Sequence, residues 1–368
     1  MKKYLRSLGF VAFVAVAGGL ASAVGRVGAA ELAVQSISAT DSRFRYEGRC
    51  DFADPAAPGI VWQGTRISLD FEGERLALRF TGASGQNFFD ASVDGATQVV
   101  AVPAGATQRI ELPLHPGPGR HRLALFKRNE AASGTVRFAG VELAAGARAW
   151  APPPPDYGLR MEFIGDSITA GACNEDGAAD QWEDHRTHNH ALSYSTLTAA
   201  AFAGDYRCAA VSGMGVVTGW VEMKAGQIWD RLYPRVDSPR ADVQSWRPDV
   251  AFVNLGENDA SFTGAHGQPF PAAAFTDGYV ALGQAIRAAY PKAQLVLLCG
   301  GMFNGAQNPE LRRAWEEAVA RLEAADPAVS HFAFAHWSKN HPRVSDDRAM
   351  ADELIAWLRA QPFMARRH

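Results

Sequence analysis

Residues 161–169 read MEFIGDSIT, an apolar, strand-like run that ends at a glycine and passes into polar residues. Four more runs of this kind follow it, and helical runs separate them. Because strands that alternate with helices form a parallel sheet covered on both faces, this half of the chain predicts a three-layer α/β domain with a parallel five-stranded sheet. The predicted strands lie at residues 161–164, 206–211, 250–255, 295–299 and 331–334, and the predicted helices at 193–203, 273–290, 309–324 and 346–359.

Two of these helices have recognisable starts. Asn308 followed by Pro309 is a good N-cap with a proline at the first helical position. Ser345 precedes Asp346 and Asp347, and we expect it to cap the last helix.

The chain before this domain follows a different pattern. Residues 152–155 are consecutive prolines, which fit neither a helix nor a sheet interior and predict an extended linker at 151–156. Short strand-like runs with turn signals such as Asp94-Gly95 predict an all-β sandwich, a jelly roll, at 31–150, and leave 157–368 to the α/β domain. These runs lie at residues 65–71, 76–80, 88–93, 109–112, 121–126 and 136–143.

The first 30 residues predict a signal peptide. Basic residues precede an apolar run at 8–20, and small residues offer cleavage after Ala23 or Ala30. The run is short for a membrane span, and no later run of about 18 apolar residues occurs. We therefore expect a secreted or periplasmic protein with no membrane partner once the signal is removed. An uncleaved N-terminal anchor is the alternative.

Charge and cysteine content argue against several functions. The net charge is −3 and no long Lys/Arg cluster occurs, so we expect no nucleic-acid partner. The cysteines at 50, 173, 208 and 299 form no CxxC pair, which argues against a zinc ribbon or a thioredoxin-type site. Their pairing stays open, because export permits disulfides and the spacing does not select a connectivity.

The residues that follow the predicted strands are candidates for chemistry, because the carboxyl ends of parallel strands meet at one edge of the sheet. Ser167 follows the first strand within Gly165-Asp166-Ser167, and a serine hydroxyl at such a turn can act as a nucleophile. The motif Gly-x-Ser-x-Gly does not occur, which disfavours an ordinary α/β-hydrolase.

Three further motifs fall at the same edge. Gly213 lies in a turn after the second strand, where backbone N–H groups can approach a ligand. Asn258 follows the third strand, and an amide donor to an oxyanion typically contributes about 10²–10³ in rate. His341, fixed by Pro342 after the fifth strand, can be the general base for Ser167. Each residue alone fits a turn or a surface position, but their convergence on one crevice indicates a catalytic site.

In order and spacing, these motifs resemble the four blocks of the SGNH (GDSL) hydrolase superfamily. The resemblance covers residues 157–368 and implies a flavodoxin-like fold for them. The N-terminal half looks like that of carbohydrate esterase family 2, in which a jelly roll precedes the SGNH domain. The segments RYEGR at 45–49 and LFKRNE at 125–130 carry this second resemblance. It implies an acetyl xylan esterase-like enzyme that deacetylates plant-type polysaccharides.

The motifs and the resemblance together assign roles. Ser167 is expected to be the nucleophile and His341 its general base. The oxyanion hole is expected to combine the backbone N–H groups of Ser167 and Gly213 with the Asn258 amide. No metal or organic cofactor is expected, and the expected partner is an acetylated carbohydrate substrate.

One position departs from the superfamily pattern. Most SGNH enzymes have an Asp three residues before the histidine, and here Ser338 occupies that position. We therefore expect a Ser-His dyad, in which a backbone carbonyl near Trp337 or Ser338 accepts the other ring N–H and fixes the tautomer. Asp166 and Asp259 are expected to support the site without being triad members.

Two groups of residues have both a structural and a functional interpretation. Trp220 and Trp337 lie near the motifs and are candidates for stacking against a sugar, although large aromatic residues more often fill a core. The histidines at 185, 188 and 190 lack a regular metal-ligand spacing, so a polar loop facing the substrate is favoured over a zinc site.

Three classes of function remain. The first is a polysaccharide O-acetylesterase, a carboxylic ester hydrolase. The second is an SGNH lipase, thioesterase or other small-ester esterase, for which a long acyl channel is expected. The third is a glycan-binding protein with a degenerate esterase domain, and the intact Ser167, Asn258 and His341 argue against it.

Overall fold

The computed structural model describes residues 33–113 and 117–365. The predicted signal peptide lies outside these residues. Within the described ranges, no helix is both long enough and apolar enough to cross a membrane.

The N-terminal half forms two antiparallel sheets. Their described strands are β1 (Val34–Ser38), β2 (Arg45–Glu47), β3 (Cys50–Asp51), β4 (Gly59–Ile60), β5 (Arg66–Glu72), β6 (Leu76–Gly85), β7 (Asn87–Val93), β8 (Ala96–Val102), β9 (Gly105–Glu111), β10 (Arg120–Lys127), β11 (Gly134–Ala144) and β12 (Ala149–Trp150). One sheet has the order β3-β4-β11-β6-β9, with β1 on β11. The other has the order β12-β5-β10-β7-β8, with β2 on β5.

The two sheets share one apolar core. Phe71 from one sheet and Phe80 and Phe138 from the other are all buried in it. Buried and more exposed residues alternate along β10, as a strand with one face in a sandwich core requires. Asp94 and Gly95 join β7 to β8 with φ angles of 52° and 88°, the left-handed conformation that a two-residue hairpin turn needs. The predicted β-sandwich is confirmed.

The C-terminal half is the predicted α/β domain. Its described strands are β13 (Leu159–Gly165), β14 (Gly204–Ala210), β15 (Val250–Asn254), β16 (Gln294–Met302) and β17 (Val329–Ser338). Its described helices are α1 (Ser167–Ala170), α2 (Tyr194–Ala201), α3 (Ala225–Ile228), α4 (Glu257–Ala265), α5 (Ala272–Ala289), α6 (Phe303–Gln307), α7 (Pro309–Ala325), α8 (Val344–Arg359) and α9 (Pro362–Ala365). The strands are all parallel, in the order β14-β13-β15-β16-β17.

Helices cover both faces of this sheet. Tyr279 of α5 and Trp315 of α7 are buried in the core on one face. Tyr194 of α2 and Leu354 of α8 are buried in the core on the other face. The three-layer arrangement with a five-stranded parallel sheet is confirmed.

The two predicted helix caps have different outcomes. The Asn308 side chain accepts the N–H groups of Glu310 and Leu311, so this prediction is confirmed. The prediction for Ser345 is wrong, because α8 begins at Val344, two residues before the predicted start, and Ser345 lies within the helix. Asp346 in the first turn instead accepts the backbone N–H of Arg343 at 2.8 Å.

Buried polar contacts join the β-sandwich to the α/β domain. The Arg49 guanidinium donates to Glu162 of β13 at 2.7 Å, and both side chains are nearly inaccessible. Gln63 donates to the carbonyl of Ala210, the last residue of β14, at 2.9 Å. Because a buried charge is costly unless it is paired, these contacts hold the sandwich in one position beside the carboxyl ends of β13 and β14.

The four cysteines are all free thiols. Cys173, Cys208 and Cys299 are buried, and Cys50 is partly buried. Burial raises the pKa of the Cys50 thiol to about 12, which leaves little reactive thiolate at neutral pH.

Candidate active site

The predicted site residues meet at the carboxyl edge of the parallel sheet. Ser167 begins α1 directly after β13, and Gly213 follows β14. Asn258 lies in the first turn of α4 after β15, and His341 lies between β17 and α8. All four line one cleft of about 390 Å³.

A tight turn presents the Ser167 hydroxyl to this cleft. Asp166 caps α1, its Oδ1 accepting the N–H of Ile168 at 3.0 Å. A Cβ at Gly165 would lie 2.1 Å from Oγ1 of Thr169, so only glycine fits the end of the strand. Ser167 Oγ lies 2.9 Å from Nε2 of His341, a distance that allows transfer of the hydroxyl proton to the ring.

A carboxylate, not a backbone carbonyl, holds the other side of the imidazole. Asp180 Oδ2 lies 2.7 Å from Nδ1 of His341 and 3.3 Å from its backbone nitrogen. The expectation of a dyad oriented by a carbonyl near Trp337 or Ser338 is therefore wrong. The Ser338 hydroxyl instead donates to the Asn340 carbonyl at 2.6 Å.

Asp180 comes from the long loop between α1 and α2, 161 residues before His341. Arg343 fixes this loop against the start of α8. Its guanidinium donates to the carbonyls of Gly177 at 2.8 Å and Cys173 at 3.0 Å, and it pairs with Asp180 Oδ1 at 2.8 Å. The sequence offered no spacing that would select Asp180 from the other acids of this loop.

Asp180 is ionised at neutral pH. Burial raises its pKa, but its hydrogen bonds to His341 and Arg343 and the charge of His341 outweigh burial and lower the pKa to about 2. A carboxylate beside Nδ1 favours a proton on that nitrogen and leaves the Nε2 lone pair facing Ser167. The geometry is that of a Ser-His-Asp triad.

The loop after β14 places Gly213, with its backbone N–H, in the lining of the cleft. Gly213 has a φ of 79°, and a Cβ there would lie 3.1 Å from that of Trp220. Asp259 holds the following residues. Its carboxylate accepts the N–H groups of Val216 at 2.8 Å, Val217 at 2.8 Å and Thr218 at 3.0 Å. The structure thus places Asp259, one of the residues expected to support the site, behind the loop that follows β14.

Asn258 faces the cleft with its amide already engaged. Its Nδ2 lies 3.1 Å from Oδ2 of Asp166 and 3.1 Å from the carbonyl of Met214. An oxyanion would have to replace one of these acceptors to receive a hydrogen bond from Asn258. Asp166 therefore links the turn at Ser167 to the Asn258 amide. Burial raises the pKa of the Asp166 carboxyl well above its usual value.

Two family profiles match this chain. Residues 163–356 match the GDSL-like lipase/acylhydrolase family, and residues 46–153 match the carbohydrate esterase 2 N-terminal domain. The chain belongs to the GDSL-like lipase/acylhydrolase family. Both predicted resemblances are confirmed, and the likenesses support the predicted enzyme class, a carbohydrate esterase.

Individual relatives agree with this assignment. The cellulase/esterase CelE of Acetivibrio thermocellus is 29% identical over 85% of this chain, which spans 39% of CelE. An acetylxylan esterase / glucomannan deacetylase of Cellvibrio japonicus is 28% identical over 83% of this chain and 86% of the relative. The structure of a family two carbohydrate esterase from Clostridium thermocellum in complex with cellohexaose has a TM-score of 0.75 at 29% identity, over 86% of this chain and 98% of that one.

Aromatic side chains line the cleft of this GDSL-family site. Trp220 is one of them and is 53% exposed, with its indole N–H donating to Ser261 at 2.9 Å. Trp182, which lies outside the predicted motifs, lines the cleft and has its ring centroid 5.0 Å from that of His341. Trp337 lies outside the cleft lining, beside Phe303 at the ends of β16 and β17.

The three histidines of the loop after α1 do not form a common site. His185 Nδ1 bonds to Ser133 Oγ of the β-sandwich at 2.6 Å, and its ring stacks on His188. His188 and His190 are buried, and burial lowers their pKa values to about 4 and about 3. The expectation of a loop facing the substrate is wrong for these two, because they pack against the interior instead.

Cys173 adjoins the triad. Its Sγ, Asp180 and His341 are the one group in the described residues whose donor atoms lie close enough to hold a metal ion, within 4.8 Å of one another. The Arg343 guanidinium already neutralises Asp180 and would repel a cation there. We therefore interpret these groups as parts of the triad and its support.

Proposed function

We propose that this protein hydrolyses O-acetyl esters on carbohydrate through an acetyl-Ser167 intermediate. The observation that carries the proposal is the line of contacts from Ser167 Oγ to His341 Nε2 and from His341 Nδ1 to Asp180, at the edge of an open cleft. This arrangement is suited to acyl transfer, because it couples a nucleophile to a base whose tautomer is fixed.

The reaction proceeds in two steps. His341 accepts the hydroxyl proton as Ser167 Oγ attacks the ester carbonyl, and the oxyanion forms against the N–H groups of Ser167 and Gly213. The Asn258 amide joins them by exchanging one of its present acceptors for the oxyanion. The intermediate then collapses, and His341 protonates the departing sugar alkoxide. In the second step His341 takes a proton from water as the water oxygen attacks the acetyl carbonyl, and it returns that proton to Ser167 Oγ as acetate leaves.

The substrate class follows from the cleft and from the relatives. Trp182 and Trp220 present rings beside the nucleophile, and such faces suit the apolar faces of sugar rings. One relative is named for deacetylating xylan and glucomannan, and one similar structure holds cellohexaose. Acetate release from acetylated xylan, acetylated glucomannan and simple sugar acetates tests the proposal, and no release from any of them would contradict it.

The length of the acyl group separates this proposal from a lipase or thioesterase. We expect kcat/KM for 4-nitrophenyl acetate to exceed that for the octanoate by at least about tenfold. A relative is named as an acetylxylan esterase / glucomannan deacetylase, which supports the preference for acetate. Each buried methylene is worth about 0.8 kcal/mol, so an acyl chain packed against Trp182, Val221 and Met302 of the lining would instead favour the octanoate. Faster turnover of the octanoate would favour the lipase alternative.

The acid side of the pH profile of kcat/KM should report the protonation of a single group. His341 must be neutral to accept the Ser167 proton, so activity is present at high pH and lost as pH falls. Asp180 stays ionised over this range because its pKa is about 2. On the acid side, kcat/KM for an acetyl ester should therefore fall about tenfold per pH unit. A fall of about a hundredfold per unit would show that a second group must also be ionised.

We also propose that the protein is exported, from the basic and apolar pattern of residues 1–30. Acetylated polysaccharides are too large to enter a cell, so an enzyme acting on them has to meet them outside the cytoplasm.

A further inference from the structure

The segment LFKRNE at 125–130 belongs to the β-sandwich, yet it ends beside the loop that follows β14 in the other domain. It consists of the last residues of β10 and the turn that follows. Lys127 and Asn129 are completely buried, and Glu130 is 4% exposed. Buried groups of this kind are costly unless they are paired, so their partners indicate what the segment does.

Contacts within the sandwich fix the backbone of this segment. Lys127 Nζ donates to the carbonyl of Asn129 at 2.9 Å and to its Oδ1 at 2.6 Å. Asn129 also accepts the N–H of Phe88 and donates to the carbonyl of Gln86, both at 2.9 Å. Arg128 pairs with Asp90 at 2.8 Å. Glu130 therefore extends from a rigid base.

The carboxylate of Glu130 reaches across to the α/β domain. Its Oε2 accepts the backbone N–H of Ser212 at 2.7 Å. Ser212 immediately precedes Gly213, so this bond holds the peptide next to the N–H proposed as an oxyanion donor. Gly213 has a positive φ, and a glycine has no Cβ to restrict its backbone. Its N–H can therefore stabilise an oxyanion well only when other contacts fix its direction beforehand.

We infer that Glu130 is a positioning residue of the oxyanion hole, through which the β-sandwich sets the direction of the Gly213 N–H. The inference rests on the proposed esterase function. A negative charge near a developing oxyanion would destabilise that oxyanion. We therefore attribute the contribution of Glu130 to the direction that it gives the Gly213 N–H, and not to its charge. A neutral acceptor of the same shape should therefore serve nearly as well as the carboxylate.

Three substitutions at Glu130 test this inference. Glu130→Ala removes the acceptor and should lower kcat for an acetyl ester about 10- to 100-fold with little change in KM, somewhat less than the loss of a whole donor. Glu130→Gln retains an oxygen at the same position and should keep kcat within about threefold of wild type. Glu130→Asp retains the charge but is too short to reach Ser212, so it should resemble the alanine variant.

A boronic acid inhibitor provides a second readout, since it occupies the oxyanion hole as a tetrahedral adduct. Its inhibition constant should rise by the same factor as kcat falls. Asp51→Ala is the matched control. It removes another carboxylate of the sandwich that bonds to the α/β domain, to the hydroxyl of Tyr233 at 2.7 Å, away from the loop that follows β14. Its kcat should stay near that of wild type.

The outcomes are distinguishable. If wild type is active and folded Glu130→Ala has the same kcat, the inference is overturned. It is also overturned if Asp51→Ala loses as much kcat as Glu130→Ala, because that would indicate a general loosening of the contact between the two domains. If Glu130→Ala does not fold, an unchanged kcat in Glu130→Asp would overturn it. A wild type without esterase activity would refute the proposed function itself.

Discussion

Replacing Ser167 with alanine should lower kcat/KM for an acetyl ester by about 10⁴- to 10⁶-fold. The hydroxyl lies 2.9 Å from His341 Nε2 and is the proposed nucleophile of the cleft. Without it, a bound ester can react only with water, helped by the oxyanion donors. The measurement is hydrolysis of 4-nitrophenyl acetate by matched preparations of wild type and variant.

The fold of the Ser167→Ala variant should be unchanged, because alanine removes a single oxygen and Asp166 still caps α1 through the Ile168 N–H. Circular dichroism and the thermal midpoint should match those of wild type. Near-normal turnover by a folded Ser167→Ala variant would refute the assignment of the nucleophile.

Replacing Asp180 with asparagine should lower kcat by about 10³- to 10⁴-fold. The carboxylate can only accept a hydrogen bond from His341 Nδ1, which leaves Nε2 free to take the serine proton. An asparagine amide can donate to Nδ1 instead and so stabilise the tautomer with its proton on Nε2. That tautomer cannot act as a base toward Ser167. The measurement is the pre-steady-state rate of acylation.

Ser338→Ala is the control for the Asp180 variant. Ser338 occupies the position at which most SGNH enzymes have their aspartate, but its hydroxyl bonds to the Asn340 carbonyl and not to the imidazole. Its removal should change kcat by less than about threefold, as expected of a surface hydroxyl. If Asp180→Asn retained normal activity, the imidazole would have to be held by some other group, and the dyad would again be the better description.

Local sequence patterns were sufficient to predict the two kinds of fold and the convergence of four candidate site residues on one cleft. Ser167, Gly213, Asn258 and His341 each follow a strand closely, so predicting the strands also placed these residues at one sheet edge. The order of parallel strands then brought them together, since the carboxyl ends of such strands meet. In this part of the site, sequence proximity and spatial proximity coincide.

The groups that hold the site in place could not be predicted in this way. Asp180 reaches His341 from a loop far away in the chain, and the loop's conformation depends on Arg343 and backbone carbonyls. Glu130 reaches Ser212 from the other domain. Neither contact has a periodicity or a spacing that a sequence pattern could reveal. The error about the dyad has the same origin, because the absence of an aspartate at position 338 said nothing about distant acids.

Side-chain direction was a second source of error. Trp337 is next to the site in sequence, but it sits at the end of β17 and contacts Phe303 rather than lining the cleft. Trp182 lines the cleft from the long loop between α1 and α2, at a position outside the regular elements. Which aromatic rings border the cleft therefore depends on loop conformation, not on distance along the chain.

Identification of the acyl-enzyme shows directly whether Ser167 is the nucleophile. Wild-type protein would be mixed with an excess of an acetylated sugar, quenched in acid within milliseconds, digested, and analysed by peptide mass spectrometry. The account predicts one added acetyl group on the peptide that contains Ser167, and none on that peptide in Ser167→Ala. Acetate release without acetylation of Ser167, or acetylation of another residue at a rate that matches turnover, would contradict it.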